Sequence, residues 1–243
     1  TVNAWTGIRV STADLNSRSM NDSKNIYGFT ENEVDTHLIK NMEWGAVAYL
    51  AQSKYGRCIN GTCSEVSKND KSGYITGYGT GAQYNTPTGA LASTTGNIYG
   101  IYDMSGGSWE FVMGVMKDNS SDSPMSGNSA SSNSGYKGKV YNSGKYTDFD
   151  GREWPNSKYY DLYEFGTARD DAAAYARSKT GDATTETKGW FDDLAYFVHN
   201  EFPWFVRGGN ADGIYNAGIF NFEKTRGQAY NYISFRPVLV EEK

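Results

Sequence analysis

The most constraining stretch of the sequence is residues 97–111, Asn-Ile-Tyr-Gly-Ile-Tyr-Asp-Met-Ser-Gly-Gly-Ser-Trp-Glu-Phe. Glycines bracket a cluster of aromatic and acidic side chains here, and two of them allow the chain to fold back between Asp103 and Glu110. Two carboxylates brought together in this way could bind one hard cation with help from main-chain carbonyls. The alternative is that Glu110 pairs with a buried arginine, for which Arg207 and Arg236 are the obvious candidates. The spacing alone favours this ion pair.

With 243 residues the chain can bury a sizeable core, and a single domain spanning residues 1–243 is the simplest organisation. The mean hydropathy of −0.65 is low for a globular domain, but the aromatic content of 15% excludes a disordered chain. Nineteen tyrosines and 28 glycines indicate many turns. The tyrosines then either form a recognition surface or lie half-buried over a loop-rich core.

The charge distribution makes nucleic acid an unexpected partner, because the net charge is −5 and no stripe of Lys and Arg is present. No apolar run approaches the ~20 residues that cross a bilayer, so we expect no direct membrane insertion of this chain. Residues 1–5 do not resemble a signal peptide, and any leader or anchor would lie upstream of Thr1.

The two cysteines, Cys58 and Cys63, flank the dipeptide Asn60-Gly61, which favours a tight turn. A disulfide across a hairpin is one interpretation, and it implies an oxidising compartment. Two reduced cysteines are the other. A zinc site is disfavoured because the spacing is not Cys-x-x-Cys and no second pair of ligands is visible.

Periodicity predicts a first helix over residues 31–55, a second over 168–179 and a short third over 188–199. Residues 118–145 are rich in Ser, Gly and Asn and are predicted to form an exposed insertion. The last 40 residues are typical of strands and turns.

In the C-terminal part, Phe220 and Phe222 alternate with Ile219 and Asn221, which predicts a strand with one buried and one exposed face. Residues 235–240 are predicted to form a final buried strand.

Little in the sequence points to catalysis. The only histidines, His37 and His199, lie in predicted helices and are interpreted as packing or hydrogen-bonding residues. Residues 77–81 are rich in glycine but precede no helical pattern, so they predict turns rather than a phosphate-binding loop.

Residues 97–111 resemble a pattern of the formylglycine-generating-enzyme branch of the C-type-lectin fold. The family pattern runs Asn, aromatic, Gly, Leu, Tyr, Asp, Met, any residue, Gly, Asn, any residue, Trp, Glu, Trp. Here Gly107 replaces the usual Asn and Phe111 replaces the second Trp. Three further segments are similar to the family: residues 43–50, 204–209 and 235–239.

The resemblance covers about residues 30–115 and 200–240. It implies an α+β chain with the C-type-lectin fold of the formylglycine-generating-enzyme (sulfatase-modifying factor) type. Such a domain is loop-rich, with short antiparallel strands and two or three helices. The family also places a calcium site in the loop at 97–111. Carried over, Asp103 and Glu110 would supply side chains, and Gly106 and Ser108 would supply carbonyls.

The catalytic equipment of the family's enzymes is missing from this chain. Formylglycine-generating enzymes use a Cys pair in the C-terminal part of the domain, whereas no Cys follows Cys63 here. The related iron-dependent sulfoxide synthases need three His ligands, and this chain has two His. The resemblance therefore implies a protein that is not an enzyme.

The C-terminal segment 204–239 is most similar to the variable proteins of diversity-generating retroelements, which use this fold as a ligand-binding scaffold. Their variable positions change through mutation at template adenines, often in Asn codons, which can never yield Glu, Lys or Gln. By this rule Glu223, Lys224 and Gln228 belong to the fixed scaffold. The candidate variable, ligand-binding positions are Asn210, Ala211, Asp212, Ile214, Tyr215, Asn216, Ile219, Asn221, Ala229, Tyr230, Asn231 and Tyr232.

The resemblance thus implies a non-catalytic receptor or adhesin that displays a diversifiable C-terminal face to a protein or glycan ligand. We expect it outside the cell, on a cell surface, a pilus or a virion such as a phage. Tyr215, Tyr230 and Tyr232 are the expected anchors, because aromatic residues dominate binding hot spots. This interpretation predicts that Glu110 is buried and that residues 210–232 cluster on an open surface.

Two alternatives predict different structures. An enzyme that uses carboxylates such as Asp103 and Glu110 needs a deep pocket in which both face solvent. A structural pilus or wall subunit would bury its C-terminal face against neighbouring subunits.

Overall fold

A computed structural model describes residues 4–69, 82–168, 170–212 and 217–241. The described residues form a mixed α+β fold with few helices and several small sheets. The α-helices are α1 (Val10–Arg18), α2 (Asn41–Ala51) and α3 (Asp171–Arg177). The strands are β1 (Val34–Leu38), β2 (Cys58–Ile59), β3 (Thr62–Cys63), β4 (Trp109–Met116), β5 (Gly138–Asn142), β6 (Lys145–Phe149), β7 (Asp161–Tyr163), β8 (Trp204–Gly209), β9 (Ala217–Thr225), β10 (Ile233–Phe235) and β11 (Pro237–Glu241).

The central sheet has the strand order β10-β4-β8-β9, and β7 also pairs with β4. Strand β4 is buried along its whole length, as its nearly continuous apolar sequence favours. Antiparallel β8 lies on one side of β4. On the other side, parallel β10 pairs with the first half of β4 and parallel β7 with the second half. Two hydrophobic clusters form the core, one containing Trp44, Phe205 and Phe220 and the other containing Phe111 and Trp204.

Strand β1 pairs antiparallel with β11, so that His37 lies opposite Val238. The predicted helix over 31–55 is therefore wrong for its first part, where pairing with a strand about 200 residues away determines the conformation. Helix α2 begins only at Asn41, where the Glu43 carboxylate accepts a hydrogen bond from the backbone N–H of Lys40 at 2.8 Å. Within residues 41–51 the helix prediction is confirmed.

The other helix predictions had mixed outcomes. Helix α3 confirms the second predicted helix, over a shorter range. The third is wrong, because residues 188–199 contain a 3-10 turn, Trp190–Asp192, followed by isolated bridges from Ala195 to Phe222 and from His199 to Phe202. Helix α1 was not predicted.

The segment 118–145 is not the exposed insertion that its composition predicted. Met125 and Tyr136 are fully buried, and residues 138–149 form the β5–β6 hairpin. The backbone N–H of Met125 donates to the carbonyl of Met116 at 2.9 Å, and the Trp204 indole N–H donates to the carbonyl of Ser126 at 3.1 Å. Hydrogen bonds to the core satisfy the polar backbone here, so a Ser-rich sequence can be packed.

Candidate functional site

Two C-terminal segments leave the central sheet at the same end. Strand β8 runs antiparallel to β4 and pairs Arg207 with Glu110, so it ends where β4 begins. Strand β10 runs parallel to β4 and starts with Ile233 opposite Trp109, at that same end. Residues 210–212 and 229–232, which follow β8 and precede β10, therefore emerge about two strand spacings apart, or about 10 Å. We call these two segments the C-terminal face.

The loop before β4 holds the first of these segments. The Gly106 N–H donates to the carbonyl of Gly208 at 2.7 Å, and the Ala211 N–H donates to the carbonyl of Gly107 at 2.9 Å. Gly106 has φ +88°, and a Cβ there would lie 2.2 Å from the carbonyl oxygen of Asn69. Only glycine fits this position, and through these hydrogen bonds the loop at 105–108 supports residues 210–212.

Asn69 is a supporting residue that the sequence analysis missed. Its backbone N–H donates to the carbonyl of Ser105 at 2.7 Å, and its carbonyl accepts from the Gly107 N–H at 2.8 Å. Its side-chain amide also donates to Asp103 at 3.1 Å. No sequence pattern marks a contact of this kind, because it joins loops that are remote along the chain.

The second segment presents tyrosine to solvent. Tyr232 is 48% exposed, Ala229 and Asn231 are exposed, and Tyr230 is half-buried. The rings of Tyr230 and Tyr232 lie 5.2 Å apart, and the carbonyl of Tyr230 accepts a hydrogen bond from the N–H of Gly7 at 2.9 Å. Burial and the neighbouring Tyr230 raise the pKa of the Tyr232 hydroxyl, which keeps it a neutral donor.

The remaining predicted positions have three outcomes. Asn210 and Ala211 are half-buried and Asp212 is exposed, at the end of the sheet described above. Ile214, Tyr215 and Asn216 lie outside the described residues. Ile219 and Asn221, by contrast, were predicted to be exposed and are fully buried.

Strand β9 buries both of its faces, which explains the error at Ile219 and Asn221. The carbonyl of Ile219 accepts a hydrogen bond from the Trp44 indole N–H at 2.8 Å. The Asn221 side-chain oxygen accepts one from the backbone N–H of Leu194. Residues 217–222 of β9 are all buried, and Ile219 packs in the core cluster that contains Trp44, so neither Ile219 nor Asn221 can belong to an exposed binding surface.

The Glu110 carboxylate is buried and forms an ion pair with Arg236. The guanidinium donates from Nε to Oε2 at 3.0 Å and from Nη2 to Oε1 at 2.7 Å. Burial raises the pKa of the Glu110 carboxyl, and Arg236 opposes that shift. The ion-pair alternative is confirmed with Arg236 rather than Arg207 as the partner.

This pairing does not fit the calcium ligand set carried over from the resemblance. Asp103, Gly106 and Ser108 lie in the loop before β4 and Glu110 lies at the start of β4, but both carboxylate oxygens of Glu110 already accept hydrogen bonds from Arg236. In the part of the chain that the structure describes, no three His, Cys, Asp or Glu side chains form a group that could hold a metal ion. Because Glu110 is buried, it and Asp103 also do not form the solvent-facing pair that the enzyme alternative predicts.

Arg207 has a different role beneath the site. Its guanidinium is fully buried and donates to Asn41 Oδ1 at 3.2 Å, to the carbonyl of Asp182 at 3.2 Å and to that of Ala183 at 2.9 Å. Burial lowers the pKa of Arg207 to about 10, which still leaves it charged at neutral pH. It fixes β8 to the loop at 182–183 and thereby stabilises the strand that leads to the C-terminal face.

Cys58 and Cys63 form a disulfide that closes the β2–β3 hairpin, in which they lie directly opposite each other. The disulfide interpretation of the sequence is therefore confirmed. His37, the other residue considered for chemistry, is buried, with Nε2 3.0 Å from a Glu43 oxygen, as a hydrogen-bonding residue would be.

The sequence matches no protein-family model and no curated protein. None of the helices in the described ranges is both long enough and apolar enough to cross a membrane.

Proposed function

We propose that this chain is a non-catalytic ligand-binding protein with the C-type-lectin fold of the formylglycine-generating-enzyme type. The C-terminal face would bind a protein or a glycan, and its positions would be diversified as in the variable proteins of diversity-generating retroelements. The protein would act outside the cell, on a cell surface, a pilus or a virion. The disulfide between Cys58 and Cys63 agrees with an oxidising compartment.

The observation that carries this proposal is the union of the two resembling segments in one sheet. Strand β4 contains the end of residues 97–111, and it pairs directly with β8 and β10, which contain parts of 204–239. The loop at 105–108 also hydrogen-bonds to residues 208 and 211. A rigid support thus carries short segments whose side chains reach solvent, and such segments tolerate change without loss of the fold.

The exposure pattern narrows the proposed diversifiable set. Residues 210–212 and 229–232 remain candidates, because each is at least partly exposed. Ile214, Tyr215 and Asn216 lie outside the described residues and remain candidates from the sequence. Ile219 and Asn221 are removed from the set, because a substitution there would disturb the core. Tyr232, with Tyr230 beside it, is the proposed anchor, since a half-buried aromatic ring contributes contact area at low entropic cost.

A binding screen with matched tyrosine variants tests this proposal. The wild-type chain is screened against arrays of glycans and of extracellular proteins, and each ligand found is titrated against Tyr232→Ala and Tyr175→Ala. Tyr175 on α3 is the control, because it is 70% exposed but lies outside the C-terminal face. We expect Tyr232→Ala to weaken binding at least about tenfold and Tyr175→Ala to leave it unchanged. Equal affinities of the two variants for every ligand would refute the proposed site.

A further inference from the structure

We propose that a groove beside the β5–β6 hairpin is a second binding site and that its ligand is a neutral, hexose-containing glycan. The groove has a volume of about 670 Å³. Its lining includes residues of the loop that follows β4, among them Asp118. Trp154 in the lining stacks on Trp204, which lies opposite Val115 near the end of β4. The C-terminal face lies where β4 begins. Since β4 has eight residues, the two sites are about 25 Å apart.

Trp154 lines this hairpin groove, and its indole ring stacks on two buried rings. Its centroid lies 4.3 Å from that of Tyr136 and 5.5 Å from that of Trp204, and both pairs are stacked. The Tyr136 and Trp204 centroids are themselves only 6.2 Å apart. Two rings on opposite faces of a third would be about 7 Å apart, because each stacking step takes about 3.5 Å. Tyr136 and Trp204 therefore share one face of Trp154, and its other face borders the groove.

The orientation of this ring is fixed. The Trp154 indole N–H donates to the carbonyl of Lys137 at 2.7 Å, and Tyr136 and Trp204 behind it are fully buried. Tyr160, which also lines the groove, lies 5.3 Å from Trp154 at an interplanar angle of 59°. Together the two rings form an aromatic corner. A pyranose ring can pack its C–H face against such a surface while its hydroxyls point away from the rings.

The polar groups that line the same groove suit those hydroxyls. Asp148 and Asp150 line the groove, and both are exposed. Lys139 lies across the hairpin from Asp148, with 2.9 Å between Nζ and Oδ1. Sugar hydroxyls can donate to the carboxylates and accept from the lysine. An exposed ion pair of this kind contributes little to stability, so exchanging it for contacts with a sugar costs little.

The charge of the groove selects among glycans. Four aspartates and two lysines line it, and Asp118 among the aspartates is buried and bonded to Ser120 and Ser121. Since carboxylates outnumber lysines, an acidic glycan such as a sialylated or sulfated one would be repelled. The combination of an aromatic corner with more carboxylates than lysines therefore favours a neutral glycan.

Isothermal titration with defined oligosaccharides tests this site. The neutral probes are the hexamers of α-glucose, β-glucose, β-mannose and β-galactose, and the acidic control is the hexamer of galacturonic acid. We expect at least one neutral probe to bind and the acidic probe not to bind. Absence of binding of every neutral probe at about 10 mM, above the range of weak specific ligands, would overturn the proposal.

Variants then locate the binding. Asp148→Asn combined with Asp150→Asn changes two exposed side chains and should leave the fold intact, while weakening binding at least about tenfold. Trp154→Ala should abolish binding of the neutral probe. Because the Trp154 ring also packs on Tyr136, circular dichroism checks that this variant is folded.

Tyr232→Ala separates this site from the C-terminal face. It should bind the neutral probe as the wild type does. If Tyr232→Ala loses the glycan while the double aspartate variant retains it, the hairpin groove is refuted as the glycan site and the C-terminal face is supported. If only the groove variants lose the glycan, the hairpin groove is supported as the glycan site. The function proposed for the C-terminal face is then tested separately, by the binding screen with Tyr232→Ala and Tyr175→Ala.

Discussion

Replacing Glu110 with glutamine tests the ion pair between Glu110, in residues 97–111, and Arg236, in residues 204–239. Glutamine has the same shape but removes the charge that accepts two hydrogen bonds from Arg236. Removing one partner of a buried pair typically costs about 3–5 kcal/mol. The side chain of Arg236 is 23% exposed, so water can partly solvate it. The expected loss is therefore at the low end, about 3 kcal/mol.

The loss is measured as the difference in the free energy of unfolding, from urea titrations followed by tryptophan fluorescence. In a chain of this length, about 3 kcal/mol corresponds to a decrease in Tm of about 6–12 °C. Glu164→Gln is the control, because Glu164 pairs with Lys117 but is 67% exposed, and we expect its loss to stay below about 0.5 kcal/mol. Equal losses in the two variants would refute the reasoning.

The same variant decides between the ion pair and a calcium site. A cation that binds only the folded state raises Tm. We expect the Tm of the wild type to be the same in excess Ca²⁺ and in a chelator, because Arg236 occupies the Glu110 carboxylate. A rise in Tm with Ca²⁺ that Glu110→Gln abolishes would show that Glu110 is a ligand after all.

Two further predictions concern a buried acid and a glycine. Burial raises the pKa of the Asp193 carboxyl to about 7, although the Lys68 ammonium lies 3.5 Å away. The protonated carboxyl therefore contributes its full stabilisation below about pH 4, and this stabilisation is lost as the pH rises through about 7. Unfolding free energies measured from pH 4 to 7.5 should fall more steeply, by up to about 1.4 kcal/mol per pH unit, in the wild type than in Asp193→Asn, and parallel curves would contradict this. Gly106→Ala should destabilise more than Gly144→Ala. Both positions have positive φ, but a Cβ meets the carbonyl oxygen of Asn69 only at Gly106. If both variants lost the same free energy of unfolding, roughly the 1–2 kcal/mol of left-handed backbone strain, the loop at 105–108 would have to move to accommodate the Cβ.

Local patterns predicted the parts of the fold whose interactions are short-range or chemically specific. Helix α2 followed from its apolar residues, and the Cys58–Cys63 hairpin followed from Asn60-Gly61 between the cysteines. The buried charge of Glu110 required a cationic partner, which limited the candidates to two arginines.

The errors came from long-range packing. Residues 34–38 form a strand because β11 pairs with them, and the local sequence does not predict that partner. In β9 the alternation of Phe220 and Phe222 correctly marked one buried face. The other face is buried as well, because Ile219 on it packs in the core cluster that contains Trp44. Ala217 and Ile219 on that second face are apolar, which is typical of a strand that is buried on both faces. The alternation of Phe220 and Phe222 led to the prediction of one exposed face instead.

Deep sequencing of the 3′ end of this gene in its native population tests whether the C-terminal face is diversified. We predict substitutions confined to adenine-containing template codons at residues 210–212, 214–216 and 229–232, with Ile219 and Asn221 unchanged because they are buried. An unvarying 3′ end, or variation at Ile219 and Asn221 as frequent as at Tyr232, would contradict it.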